Sequence, residues 1–256
     1  MEAVIIDREK CIGCGECAAD CVSHHIVIED GRARTLGNRC IECGHCYAIC
    51  PVQAVDMPGY DLTGLEGTLD MSALGADRLL TAMESRRSAR RFTAEPVSAD
   101  DLRRILEAGR YCPTGSNAQK VHFVVLRERL EEAEEEALRV FSQSQRLAGL
   151  VNSGAPGSGP DRHFFFKGAP LAIVVAGHRE VDPALASSYM ELMAQALGLG
   201  VLHSGYFVFA AKHSAPLKEL LDLPAGVEPV TTLVIGHSDI RYSRRVPRKP
   251  LKVRWC

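Results

Sequence analysis

Three things are scarce in this sequence: net charge, long apolar runs, and cysteine outside one short stretch. Formal net charge is -2 over 256 residues, so the global basic bias that would argue for nucleic acid is missing. No stretch approaches the roughly 18 consecutive apolar residues of a membrane-spanning helix, so none is expected. The opening MEAVIIDREKC lacks a charged-then-apolar leader and a small-residue cleavage site, which predicts a cytoplasmic protein. Nucleotide loops are absent too. No G-x-G-x-x-G follows a strand pattern, because Gly198-Leu199-Gly200 runs on into Val201-Leu202-His203, and there is no Walker loop. With 46% hydrophobic and 24% charged residues, the chain has room for one small and one medium globular domain.

Of ten cysteines, eight lie between Cys11 and Cys50, and only Cys112 and Cys256 lie elsewhere. They form two copies of C-x2-C-x2-C-x3-C: Cys11, Cys14, Cys17, Cys21, then Cys40, Cys43, Cys46, Cys50, with Pro51 after the second. Disulfides suit small secreted domains, and no secretion signal is seen. Zinc favours C-x2-C pairs separated by a longer arm, so that four ligands can spread tetrahedrally around one ion. Three cysteines at two-residue intervals instead wrap three corners of a cube-shaped cluster, and the fourth ligand comes from the other half. This predicts two [4Fe-4S] clusters, one on Cys11, Cys14, Cys17 and Cys50, the other on Cys40, Cys43, Cys46 and Cys21. Gly13, Gly15 and Gly44 sit inside the loops, where tight turns must aim amides at sulfur. Between the motifs, HHIVIEDGRARTLGN alternates around Asp30-Gly31 and reads as a hairpin. With all eight ligand places filled, His24, His25 and His45 read as surface groups or sulfur hydrogen-bond donors. The segment resembles a bacterial two-cluster ferredoxin over residues 1–60, although Val22 stands where the second motif has Pro51.

Residues 61–75 fall in a glycine-rich stretch with little periodicity, read as a linker whose Leu62, Leu65 and Leu69 dock on a neighbouring surface. A second domain is expected over 76–256. Helical spacing occurs at 77–86 and at 101–108, where Ser98 and Asp101 form a capping-box-like start and Gly109 marks the end. VHFVVLR (121–127), LAIVVAG (171–177) and VTTLVIG (230–236) read as strands, the middle one buried on both faces. A helix over 128–149 carries six glutamates within nine residues, read as a solvated face. Another helix covers 183–198, with shorter ones to about 222. HFFF (163–166) fits a subunit seam or an ordinary core, and NSGAPGSGPD (152–161) fits a mobile cover or a plain surface loop.

Two basic clusters frame this domain. SRRSARRF (85–92) carries Arg86, Arg87, Ser88 and Arg90, and guanidinium forks beside a hydroxyl suit a phosphate. If helical, Arg86 and Arg90 share a face at i, i+4. A solvent-facing basic segment is the plainer alternative. The tail from Arg241 to Arg254 is basic but punctuated by Pro247 and Pro250. Taken with PTGSNAQKVHFVVL (113–126) and QALGLGVLHSGYF (195–207), the region from about 76 onward resembles the nitroreductase family of FMN-dependent oxidoreductases. The resemblance implies an α+β fold with a central mixed sheet flanked by helices. It also implies a homodimer with FMN sites at the subunit interface and C-terminal segments embracing the partner. For the cofactor it implies Arg86, Arg87, Ser88 and Arg90 on the phosphate and ribityl chain. Ser116, Asn117 and Gln119 fall near the flavin ring, with Ser204 and Gly205 against the isoalloxazine, and Arg245 or Arg248 returns to the phosphate. Lys120 stands where many members have Pro-Trp.

The implied activity is reduction of nitroaromatics, quinones or similar electron-poor small molecules at the flavin, fed through the clusters. Two alternatives remain open. NAD(P)H could reduce the flavin directly, with the ferredoxin module a side exit or entrance to a protein partner, or the molecule could be a non-catalytic electron-transfer hub; an external ferredoxin-type protein is the other candidate donor. His122 and His203 are the candidates for proton delivery, with a structural role the plainer reading of each. Cys112 reads as a small buried residue, with redox activity the alternative.

Overall fold

The computed structural model describes residues 2–37, 40–65, 67–143 and 161–256. The chain forms two compact units, Met1–Asp70 with Thr114–Ala118, and Met71–Pro113 with Gln119–Cys256.

In the first unit, strand β1 (Ile5–Ile6) pairs antiparallel with β4 (Val55–Asp56). Strands β2 (Ile26–Glu29) and β3 (Arg32–Thr35) form the expected hairpin, with Glu29 opposite Arg32. Its two turn residues both have positive φ, Asp30 at 51° and Gly31 at 70°, the twist that matches a right-handed ribbon. Short helices α1 (Glu16–Ala19) and α2 (His45–Ile49) each start after a left-handed glycine, Gly15 and Gly44. Gly13 is required for a second reason. A Cβ there would lie 2.1 Å from the carbonyl oxygen of Gly31. The small core includes Cys11, Cys17, Ile26, Ala33 and Ala54, with Val4, Val55 and Met57 beside Leu62. Leu65 and Leu69 are exposed, so of the three linker leucines only Leu62 docks.

The second unit is built on a four-stranded sheet, β5 (Val121–Leu126), β6 (Leu171–Gly177), β7 (Gly200–His203) and β8 (Glu228–Gly236), in the order β5-β6-β8-β7. These strands pair antiparallel, and an isolated parallel bridge from Ser88 to Val201 makes the sheet mixed. Every residue of β6 is buried, because both faces are covered. Ala172 and Val174 face a core shared with α5 (Leu130–Ser142), α7 (Gly205–His213) and α8 (Ala215–Leu221). Leu171, Ile173 and Val175 face a core that takes Ile105 from α4 (Ala99–Arg110) and Ala186, Met190 and Ala194 from α6 (Val181–Ala196). Each fully buried Val, Leu or Ile contributes about 1.5–3 kcal/mol of transfer free energy, so this strand anchors both layers. Helix α3 (Ala76–Ser85) and a short 3-10 turn at Met71–Leu74 precede α4.

Several expectations are corrected. Ser98 does cap α4, accepting from the Asp101 amide at 3.0 Å. Gly109, however, lies inside the helix, which ends at Arg110. Its role is close packing, because a Cβ there would meet Met190 Sδ at 2.8 Å and Phe123 Cζ at 2.9 Å. The glutamate run on α5 is not wholly solvated. Glu134 is buried and accepts from the backbone N–H groups of Phe165 and Phe166, each at 2.9 Å. Burial pushes its carboxyl above the ordinary range despite those donors and nearby His163. Phe165 and Phe166 belong to this chain's own core, packed around Phe141 and Phe207. The expected cover at 152–161 and the end of the acidic helix at 144–149 lie, but for Asp161, outside the described residues. Residues 237–256 form no helix or strand. Among the described residues no helix is long and apolar enough to cross a membrane.

Candidate functional site

The cysteine set in the first unit assembles from two distant stretches. Cys11, Cys14 and Cys17 line one small cavity together with Cys50, and Ile6, Ala33 and Ala54 close its apolar wall. These are the four cysteines that the spacing assigns to one cluster. On the other side, Cys46 is crowded by Cys40 and Cys43, while the Asp20 carboxylate sits 2.9 Å from His45 Nδ1, so the chain beside Cys21 meets the chain beside Cys46. Backbone amides point at sulfur as cluster thiolates require. Ala33 donates to Cys11 (3.4 Å), His25 to Cys21 (3.3 Å), Glu42 to Cys40 (3.3 Å) and Ala54 to Cys50 (3.2 Å). Burial pushes the Cys46 thiol up to about 11, with Cys40 and Cys43 adding repulsion. Cys17 is raised by burial and then by Cys11, Cys14 and Cys50. Burial also acts on Cys21, but the amide of His25 and the hydroxyl of Ser23 outweigh it and hold that thiol lower. Clustered sulfurs that repel one another, four of them met by backbone amides, suit a polynuclear iron–sulfur group. His25 is buried, whereas His24 and the His45–Asp20 pair are at the surface.

The second unit holds the arginine element. Residues 86–92 are extended, not helical, so the i, i+4 face for Arg86 and Arg90 does not form. Sheet-like bonding takes the segment over instead. Besides the Ser88–Val201 bridge, the Ala89 amide donates to the Val201 carbonyl at 2.9 Å. Gly200 is obligatory for that approach, since a Cβ there would lie 2.7 Å from the Ala89 Cβ. Arg86 and Arg87 differ in what they touch. Arg86 Nη1 is 2.8 Å from Glu191 Oε1. Arg87 Nη1 donates to the carbonyls of Glu84 and Arg86, but its buried Nε and Nη2 have no hydrogen-bond partner among the described residues. Two buried guanidinium donors aimed at no protein acceptor fit an anion, and their fork matches a phosphate. The FMN expected from the resemblance therefore suits the donors present. Arg245 pairs with Glu84, just before this element, while Arg248 lies exposed in the tail. Arg90 is exposed.

Glu191 was not picked out from the sequence. It sits on the buried face of α6 with Ser187, Met190 and Ala194, and a lone acid at that apolar spacing was the available signal. Its second oxygen lies 3.4 Å from His203 Nε2, while His203 Nδ1 is 3.0 Å from Thr231 Oγ1. Burial pushes this carboxyl up, but hydrogen bonds from His203 and Arg86 and their charges more than offset it, leaving it below the usual range. Both nitrogens of His203 are thus engaged by protein groups, in keeping with a structural role. His122 lies on β5 opposite Ala176. Cys112 is buried, the plainer reading of it, and its thiol is raised by burial and by Asp182. Ser204 is buried at the start of α7, its amide donating to Thr232 at 2.8 Å, and Gly205 opens that helix. Gln119 belongs to the second unit, whereas Ser116 and Asn117 fall in the first.

Comparison with known proteins supports the family and a 4Fe-4S domain. Residues 83–237 match the nitroreductase family and residues 3–51 match a 4Fe-4S dicluster domain. The Bacillus subtilis protein named FMN reductase [NAD(P)H] is 29% identical over 191 residues, 68% of this chain and 71% of that one. Among solved structures, an FMN-bound nitroreductase from Desulfitobacterium hafniense aligns with a TM-score of 0.57 and 24% identity, covering 68% of this chain and 97% of that one. Another, from Bacteroides fragilis, gives 0.56 and 23%, with 68% and 94% covered. The chain belongs to the nitroreductase family of FMN-dependent oxidoreductases and carries a ferredoxin-like 4Fe-4S domain on its N-terminal side.

Proposed function

We propose that this protein takes in electrons through two [4Fe-4S] clusters and reduces an electron-poor small molecule, of the nitroaromatic or quinone class, at FMN. The observation that carries this reading is the coexistence of a cavity lined by Cys11, Cys14, Cys17 and Cys50 with two buried nitrogens of Arg87 that have no partner among the described residues. Bound in this chain, clusters supply one-electron transfer and a flavin supplies two-electron hydride chemistry. The protein's own residues bind and orient. Arg87 and Ser88 hold the phosphate end, Arg86 is fixed beside them by Glu191, and Arg245 approaches through Glu84. The first residue of α7, Gly205, offers its backbone amide to the ring, and Gln119 is a further ring contact. An amide at that position stabilises negative charge on a reduced ring. The exposed apolar residues of the tail, Leu251 and Trp255, each 91% exposed in the single chain, support a homodimer in which this segment covers a partner.

A second reading has NAD(P)H reduce the flavin, and the name of the Bacillus subtilis relative favours it. An anaerobic spectral titration with NADH, NADPH or a reduced ferredoxin separates the two. Cluster bands bleaching before flavin with only the protein donor effective is the expected result. Flavin bleaching first with nicotinamide would reverse the direction of flow.

A further inference from the structure

The two cysteine loops solve the same backbone problem differently. In the first C-x2-C turn, Cys11-Ile12-Gly13-Cys14, the residue before the second cysteine is glycine with φ 69°. In the second, Cys40-Ile41-Glu42-Cys43, the equivalent place is Glu42 with φ 55°. A side chain in the left-handed region is strained and persists only where surroundings enforce it. The Glu42 amide is turned toward Cys40 Sγ at 3.3 Å, which leaves the carbonyls of Ile41 and Glu42 to find donors elsewhere.

Both find the same one. Asn117, some 75 residues downstream yet within the same unit, donates from Nδ2 to the Glu42 carbonyl at 2.9 Å and to the Ile41 carbonyl at 3.3 Å. A primary amide has two N–H bonds, which suits two consecutive carbonyls. Tyr60 adds a third hold, its hydroxyl donating to Glu42 Oε2 at 3.1 Å. Asn117 is itself held left-handed at φ 53°, as is Ser116 at 52°. The clamp is therefore maintained against local backbone preference on both sides of the contact.

We propose that Asn117 is a positioning residue for the iron–sulfur ligand loop Cys40–Cys43, substituting from a distance for the glycine which the first loop has at Gly13. The inference rests on the cluster reading and does not depend on FMN. It makes the second ligand loop depend on a residue outside the ferredoxin-like segment, while the first loop is self-sufficient.

The test uses the full chain, anaerobically reconstituted, comparing wild type with Asn117→Gly and Asn117→Asp. Asn117→Gly keeps the left-handed backbone cheaply, so it removes the amide alone. Asn117→Asp retains the shape but sets a carboxylate against two carbonyls. Iron release to a ferrous chelator is followed by absorbance, and the midpoint potential of each cluster by EPR-monitored titration. One of two release phases should quicken by about tenfold, the size expected for two lost hydrogen bonds, with that cluster's potential shifted and the other's unchanged. Adding Glu42→Gly to Asn117→Gly should restore the slow phase, because glycine adopts the turn unaided. Unaltered release, equal acceleration of both phases, or no rescue by Glu42→Gly would overturn the clamp. Wild-type chain that takes up no iron would instead overturn the cluster reading on which it rests.

Discussion

At the scale of single residues, neighbouring arginines with the same chemistry have been given different work by what surrounds them. Arg86 is neutralised by Glu191, whereas Arg87 keeps two buried donors unmet among the described residues. Arg87→Ala should therefore weaken FMN binding about 10- to 100-fold, the loss of one or two charge-assisted hydrogen bonds, measured by fluorescence titration of the apoprotein. Glu191→Gln should act mainly on stability. Its carboxyl is held below the ordinary 4.5, so its contribution is fully present above that pH and is lost as pH falls through the lower folded-state value. Urea unfolding should show the variant less stable by about 1–3 kcal/mol at pH 7, a partly buried pair with Arg86 29% exposed. The gap should narrow progressively below pH 4.5. A gap that widens on acidification would place the charge elsewhere.

Among the elements, the decisive contact is between β7 and the extended 86–92 segment. On a helix, Arg86 and Arg90 would share a face, because they are spaced i, i+4 in the sequence. The chain instead bonds to the edge of β7, and Gly200 is what lets it in. Gly200→Ala would drive a methyl to 2.7 Å from the Ala89 Cβ, a neighbour with no flexible side chain to move. The expected cost is about 1–3 kcal/mol, read as a fall of several degrees in Tm, accompanied by weaker FMN binding because the arginines shift with the segment. Unchanged melting and affinity would show that the bridge is dispensable. Gly109 teaches a related lesson. A glycine near a helix end reads as a stop, but the contact with Met190 and Phe123 that explains it comes from α6 and β5.

For the whole molecule, the cysteine arrangement carries the sharpest test. Cys50 lines one cavity with Cys11, Cys14 and Cys17, and the crossed ligation we propose would leave each sequence motif incomplete without the other. Cys50→Ser and Cys21→Ser should each remove a different cluster, lowering iron from roughly eight to roughly four atoms per chain. EPR should show complementary signals remaining. Loss of the same signal in both variants would mean that each motif keeps its own fourth cysteine.

The cysteine pattern, the Asp30-Gly31 hairpin, the Ser98 cap and the strands read at 121–127, 171–177 and 230–236, found at 121–126, 171–177 and 228–236, were all legible in the sequence, because each depends on residues a few positions apart. The same locality made the Arg-Arg-Ser-x-Arg element recognisable. Glu191, the burial of Glu134 and the service of Asn117 to the Cys40 loop were not. In each case a polar side chain has its partner 31 to 105 positions away, and no local period marks such a pairing. The sequence by itself determined which groups could bind iron and phosphate. Only the tertiary structure decided which arginine is left with open donors and which loop needs a clamp, because burial and long-range hydrogen bonds, not residue type, set what each polar atom still requires.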